Sequence, residues 1–347
     1  MKSLVPLFRG ASQLEVTAAL RHFVPARVDM NITLMEEGDE DPSLAVVLEG
    51  ELEIRCGPVE IATARKGDLV GELSLFTGTK RTATVRTLTP CKVLTLDRKG
   101  YDQLLAANNT VAFSLELSAM AQVIRRLRRM TVLISRLSTQ GDTERHPSTP
   151  TGRAPVRAPI DEDITAFLQV APLFSTASSQ ALSELSAAFS TQQIPKGRSI
   201  VVAGQRPKAL AMLLSGGVHG SYARGGALTS SEADIAPGAL LDVGAMFDHK
   251  PSMFTWCADS DVCIALMHPP EWKRLLERKD ATGSTLRRAC VSAVIHRLIV
   301  TTECVLALEK RRRSNVREEL AELLGEEADT LPESQFSHYG LSGQRSG

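Results

Sequence analysis

The chain repeats itself. Pro6-Leu7-Phe8 returns as Pro172-Leu173-Phe174, and at that offset Gly38 falls on Gly204, Leu44 on Leu210, Leu48 on Leu214 and Gly50 on Gly216 without a gap. The register then slips by five residues across the glycine-rich stretch Gly216 to Gly226, which predicts a longer hairpin in the second copy. Beyond the slip, Gly67 matches Gly238, Phe76 matches Phe247 and Leu104-Leu105 matches Leu275-Leu276, again ungapped. A period of about 170 residues is too long for a solenoid unit, so the repeat is a duplicated whole domain.

Each copy reads as the same run of elements. Ser12 to Phe23 opens the first as a short helix, followed by Val-, Ile- and Leu-rich strands broken by Gly, Pro and Asp. These strands fall at Ile32 to Met35, Leu44 to Leu48, Leu52 to Arg55, Val59 to Ala62, Thr82 to Thr87 and Cys91 to Leu96. Short strands between closely spaced turn signals predict a small antiparallel roll. A long helix closes each copy. Met120, Val123, Leu127, Met130, Ile134 and Leu137 keep a heptad spacing, and Val291, Val294, Leu298, Thr301, Val305 and Leu308 keep the same one. Such a seam asks for a helix partner. The expected fold class is therefore α+β, mainly antiparallel β: two jelly-roll-like β-rolls, each with flanking helices and a long C-terminal heptad helix.

The expected boundaries are 1–137 for the first domain, 138–163 for a Pro-, Thr-, Arg- and Ser-rich flexible linker, and 164–308 for the second domain. Residues 309–347 begin with Arg311-Arg312-Arg313, a solvated helix end, and predict one short helix at Val316 to Leu324 before a disordered tail. Forty basic residues balance forty acidic ones, so overall charge favours neither nucleic acid nor membrane. No apolar run approaches the length of a membrane span, the first residues lack a signal-peptide core, and six cysteines form no C-x-x-C pair. A cytoplasmic protein with reduced thiols is expected. No phosphate loop, nucleophile elbow, zinc-helix motif or metal-ligand cluster is present in the sequence, so an enzyme is not expected.

The segment Gly71-Glu72-Leu73-Ser74-Leu75-Phe76-Thr77-Gly78-Thr79-Lys80-Arg81-Thr82-Ala83-Thr84-Val85 carries the chemistry. A short helix starting near Gly71 offers backbone N–H groups to an anion, and Arg81 adds a forked permanent cation. This segment resembles the phosphate-binding cassette, G-E-L-x-L then R-x-A-x-V, of the cyclic-nucleotide-binding domain family, found in bacterial catabolite activators and kinase regulatory subunits. The resemblance implies a site made by Gly71, Glu72, Leu73, Ser74, Arg81, Thr82 and Ala83, with cAMP or cGMP as ligand and no other cofactor. It gives Glu72 the ribose 2′-hydroxyl and Arg81 the cyclic phosphate. A hydroxyl at Thr82 suits guanine in the syn form and is also tolerated with cAMP. The long helix acts as a lid in this family, which makes Arg128, Arg129 and Thr131 candidates by position, while at least two of Arg125, Arg126, Arg128 and Arg129 read as a solvated basic face.

The second copy departs from the pattern. Val243 stands at the position of Glu72, Ser252 at that of Arg81 and Asp242 at that of Gly71. Each charge-assisted hydrogen bond is worth roughly 1.5–3 kcal/mol, so losing two weakens binding by roughly two to four orders of magnitude. Lys250 or His249 could supply a substitute charge; Met253, Phe254 and Trp256 are the better candidates to fill the emptied space.

The functional expectation is a second-messenger sensor that relays occupancy to an unknown protein effector. Its heptad helices would pair within one chain as a pseudo-dimer, or between chains as a homodimer. The alternatives are a subunit that inhibits a kinase or other enzyme in trans, and a scaffold with a vestigial pocket. Only 39 residues follow Leu308, too few for a winged helix-turn-helix, so sequence-specific DNA binding is not expected.

Overall fold

Ser12 starts the first helix, α1 (Gln13–Leu20), with a reciprocal capping box. Its hydroxyl accepts from Glu15 N at 3.1 Å, and its own N–H donates to Glu15 Oε2 at 2.7 Å. Glu15 also accepts from Thr110 N at 3.2 Å and Thr110 Oγ1 at 2.6 Å, so the cap ties α1 to a distant helix start. These bonds, the Thr110 hydroxyl foremost, hold the Glu15 carboxyl down at about 2. The computed structural model describes residues 6–8, 10–137, 163–222 and 235–324.

The first roll has two four-stranded antiparallel sheets. One runs β1 (Val24–Val28), β8 (Cys91–Asp97), β3 (Ser43–Glu49), β6 (Leu69–Val70). The other runs β2 (Thr33–Met35), β7 (Thr84–Thr87), β4 (Leu52–Cys56), β5 (Val59–Ala64). Period-two patterning explains β4, where Leu52, Ile54 and Cys56 point inward while Glu53 and Arg55 sit on the outer face. Strand β3 is buried at Leu44 to Val47, on both faces, because the helices cover its outer side. Between β6 and β7 lies α2 (Glu72–Thr77); α3 (Arg98–Ala106) and the 28-residue α4 (Thr110–Leu137) follow the roll.

The second roll repeats that order. After α5 (Ile164–Val170) and α6 (Ser179–Ser186), the sheet β9 (Ser190–Ile194), β15 (Val262–Met267), β11 (Leu210–Ser215), β13 (Leu240–Leu241) matches β1-β8-β3-β6 strand for strand. The facing sheet holds β10 (Ser199–Val201), β14 (Phe254–Ala258) and β12 (Val218–Tyr222). The longer hairpin expected after Gly216 falls largely on residues 223–234, outside the described residues, as does nearly all of the 138–163 linker and everything after Leu324. Helix α7 (Val243–Asp248) repeats α2, and α8 (Pro269–Leu276) leads into α9 (Ala281–Leu324).

Two expectations need correction here. The second long helix does not stop at Leu308 before a separate short one; α9 is a single helix of 44 residues. After Gly283 the sequence offers neither Gly nor Pro before Gly325, so nothing interrupts the helical ladder and Arg311 to Arg313 lie in its interior. Ala281–Ser314 also contains an 18-residue window of mean hydropathy 1.7, long and apolar enough for a membrane span by composition. Much of that stretch is used inside the protein, where it packs on α4.

That packing joins the two copies. All six heptad residues of α4 are buried, as are Val291, Val294, Leu298, Thr301 and Val305 of α9, and a continuous apolar core runs through both rolls. Each such aliphatic side chain contributes about 1.5–3 kcal/mol relative to exposure. The seam thus pairs within one chain. At its N-terminal end Glu116 of α4 meets Arg287 of α9 at 2.5 Å, their side chains 0% and 2% exposed. Tyr101 and Ser284 hydroxyls donate to the same carboxylate at 3.0 and 2.7 Å, and the guanidinium lies 4.6 Å from the Phe113 ring centroid. Burial pushes the Glu116 carboxyl up, and Arg287 is the strongest pull back down.

Removing one partner of a buried ion pair strands the other. Glu116→Ala is expected to cost about 3–5 kcal/mol in denaturant unfolding, and pairing it with Arg287→Met should recover most of that loss. An unchanged midpoint in the single variant would contradict this account of the seam.

Candidate ligand-binding site

A cavity of about 260 Å³ opens in the first roll, and Gly71, Glu72, Leu73, Ser74, Arg81, Thr82 and Ala83 all line it. Backbone geometry brings them together. Gly71 caps α2 in the left-handed region at φ 79°, and a Cβ there would press on the Arg81 guanidinium and stand 2.7 Å from the Ser43 carbonyl oxygen. Only glycine leaves that space open.

Arg81, its side chain 3% exposed, donates from Nη1 to Ser43 O at 2.7 Å and Gly71 O at 3.2 Å. Its Nη2 donates to Asp41 Oδ2 at 2.8 Å and Ser43 Oγ at 2.9 Å. The guanidinium is therefore fixed by backbone on one edge. On the other it is neutralised by an aspartate that is itself 58% exposed. Glu72 is fully buried. Arg126 of α4 donates to its Oε1 and, at 3.0 Å, to Leu69 O, while Glu72 Oε2 has no partner. A buried acceptor without a donor is costly, by about 1–3 kcal/mol.

None of the expected lid residues Arg128, Arg129 and Thr131 reaches this cavity, and Arg129 is exposed. Arg128 donates from Nε and Nη2 to the two carboxylate oxygens of Asp248 on α7, at 2.7 and 2.8 Å, and from Nη1 to Pro251 O at 3.2 Å. Thr131 bonds back to the Arg128 carbonyl at 2.8 Å. The reason is helical phase: two residues turn a helix by about 200°, so Arg126 faces the first roll and Arg128 the second. Arg126, which position alone did not mark as a lid residue, is the residue of α4 at the cavity. The wall opposite comes from α9, with Leu298, Ile299, Thr302 and Leu306 and the exposed Glu303 at the rim. No motif marks those five; only the pairing of the long helices puts them there.

The second roll has a cavity of about 450 Å³ in the matching place. Asp242 caps α7 in the left-handed region at φ 61°, as Gly71 caps α2. The Ser252 hydroxyl, in the place of Arg81, bonds the Phe254 carbonyl at 2.8 Å and amide at 3.1 Å. His249 and Lys250 are exposed, and neither lines this cavity. Met253, Phe254 and Trp256 are buried there, yet they line the space rather than fill it, because the cavity extends to α9 and Leu127.

A family model for the cyclic nucleotide-binding domain matches residues 26–108, which span the strands of the first roll and its cassette. The chain contains a cyclic nucleotide-binding domain. The cAMP-activated global transcriptional regulator CRP of Escherichia coli O6:H1 is 31% identical over 101 residues, 27% of this chain. The chain spans only 46% of that relative's length. Among solved structures, the catabolite activator protein of Thermus thermophilus is 27% identical, with 38% of this chain and 67% of that one covered and a TM-score of 0.32. The regulatory domain of Toxoplasma gondii PKA with cAMP is 15% identical, with 79% and 88% covered and a TM-score of 0.29.

Within the cyclic nucleotide-binding domain, Gly71→Ala is expected to lose about 1–3 kcal/mol in thermal unfolding from backbone strain and the clash at Arg81; a wild-type melting temperature would refute the close approach. In the second roll, burial pushes the Asp242 carboxyl up to about 6, with Asp248 adding and Ser252 and Arg128 opposing. The folded state then holds this proton more tightly than the unfolded chain. Its contribution is fully present below the ordinary value of 3.8 and is lost as pH rises through about 6. Asp242→Asn should flatten that part of the stability–pH curve; a curve of unchanged slope between those pH values would show that Asp242 is not the group responsible.

Proposed function

We propose that this protein is a cyclic-nucleotide sensor that binds cAMP or cGMP in its first roll and relays occupancy through α4 and α9 to a protein effector. The observation that carries this reading is the pair of groups on one cavity: the unpartnered Glu72 Oε2 and the backbone-locked Arg81. A ribose 2′-hydroxyl donates to Glu72 Oε2 and satisfies it. The cyclic phosphate takes the place of Asp41 on Arg81, exchanging an exposed carboxylate for a ligand anion at the same fork. The ligand needs no new cation, only an exchange of partners. Thr82 on the roll and Thr302 with Glu303 on α9 are then the polar groups offered to the base.

The relay follows from one helix serving two sites. Arg126 and Arg128 of α4 hold Glu72 of the first roll and Asp248 of the second. Ligand that draws Glu72 away from Arg126 changes the balance of forces on α4, and α4 cannot rotate without loading the Arg128–Asp248 pair. A ligand shifts such an equilibrium by as much as it binds one arrangement better than the other.

Isothermal titration with cAMP and, separately, cGMP tests the sensor reading. One site per chain is expected, with Arg81→Ala weakening binding roughly 10- to 150-fold through loss of a charged hydrogen bond. Folded, ligand-free protein that gives no heat with either nucleotide would sink the proposal.

A further inference from the structure

The cavity of the second roll inverts the chemistry of the first. Its wall carries Asp242, 7% exposed, and Trp256, 1% exposed. Both carboxylate oxygens of Asp242 and the indole Nε1 of Trp256 lack a hydrogen-bond partner. Buried polar atoms in folded proteins are nearly always paired, so three unpaired atoms on one cavity wall mark the place of an absent partner. That partner must bring donors to the carboxylate and an acceptor to the indole N–H.

The remaining walls say what its body is. Val243, Met253, Phe254 and Val294 are apolar, and the Arg297 guanidinium lies over the Trp256 ring at 4.5 Å, stiffening a flat wall. At the cassette end an anionic head is disfavoured, although the α9 wall of the same cavity carries His296 and Arg297. Ser252 has replaced the phosphate-binding arginine, its hydroxyl is engaged by the Phe254 backbone, and Asp242 puts negative charge at the cassette position held by Gly71 in the first roll. The cavity extends to both long helices, through Leu127 of α4 and Val294 and Val300 of α9, so a ligand here touches the same seam that closes the first cavity.

We propose that the second roll binds a small organic cation: an apolar, ring-sized body with an ammonium or amidinium head placed on Asp242 and a polar acceptor atom against Trp256. The head gains a buried carboxylate whose neighbouring donor, the Ser252 hydroxyl, is engaged by the Phe254 backbone, and at the cassette position the site selects the charge opposite to the one its sister selects. This does not depend on which ligand the first roll takes.

The chain has two tryptophans, so labelling indole nitrogen gives two resonances, assigned by Trp272→Phe. Phenethylamine and benzamidine are titrated against the full-length protein, with phenylacetate as the anionic control. The expected result is a saturable shift of the Trp256 resonance with a cation, at millimolar affinity or tighter, and none with phenylacetate. Asp242→Asn should weaken it at least tenfold. Thermal unfolding of the unaltered protein is a second arm that needs no variant: the cations raise the melting temperature and phenylacetate does not. No saturation by either cation up to about 10 mM, an equal response to phenylacetate, or full binding by folded Asp242→Asn would each overturn the proposal.

Discussion

The seam between α4 and α9 is the contact on which the rest of the molecule depends. Both cavities are walled by α9, and each also takes a residue of α4. The first is covered by α9, which grows out of the second roll, and the second is reached by Leu127 of α4, which grows out of the first. The helices are held by aliphatic burial along their length and by Glu116–Arg287 at one end. A buried ion pair of this kind adds little net stability but tolerates few alternative alignments, because any slip leaves two charges unpaired in an apolar setting. It therefore fixes which residues of α9 stand over the first cavity.

That alignment underlies the proposed relay. Four charged side chains, Glu72, Arg126, Arg128 and Asp248, connect the two cassettes through three residues of one helix. Arg126 and Arg128 point opposite ways because the helix turns, so a small rotation of α4 cannot relax one contact without straining the other. Both cavities are lined in part by residues of the same pair of helices, α4 and α9.

The duplication was plain in the sequence, and so was the first cassette, since a contiguous motif places Gly71 to Ala83 on one turn, helix and strand whatever lies around them. The degeneration of the second copy was legible for the same reason: Asp242, Val243 and Ser252 can be read by alignment, and the structure puts Asp242 in the same left-handed cap as Gly71. Lid residues were not legible. Position along the chain marks Arg128 and Arg129 rather than Arg126, although all three sit on one basic run, because charge pattern alone carries no rotational phase relative to a roll packed elsewhere. Nor did loss of side-chain charge imply loss of space. Met253, Phe254 and Trp256 looked bulky enough to fill the second cavity, but its volume is set by how far α9 stands off the roll.

What the sequence by itself determined is local: the repeat, the strand and helix identities, the phosphate-type cassette and its degenerate counterpart. Backbone dihedral preference, side-chain period and short-range motif chemistry act over a few residues, and they are written in order along the chain. What only the tertiary structure decided is the meeting of distant segments: the pairing of α4 with α9 inside one chain, the burial of Glu72 Oε2 without a donor, the neutralisation of Arg81 by Asp41, and the reach of each long helix across the other copy's cavity. These depend on helix register and crossing, which are settled by the summed packing of whole surfaces and not by any one stretch of residues.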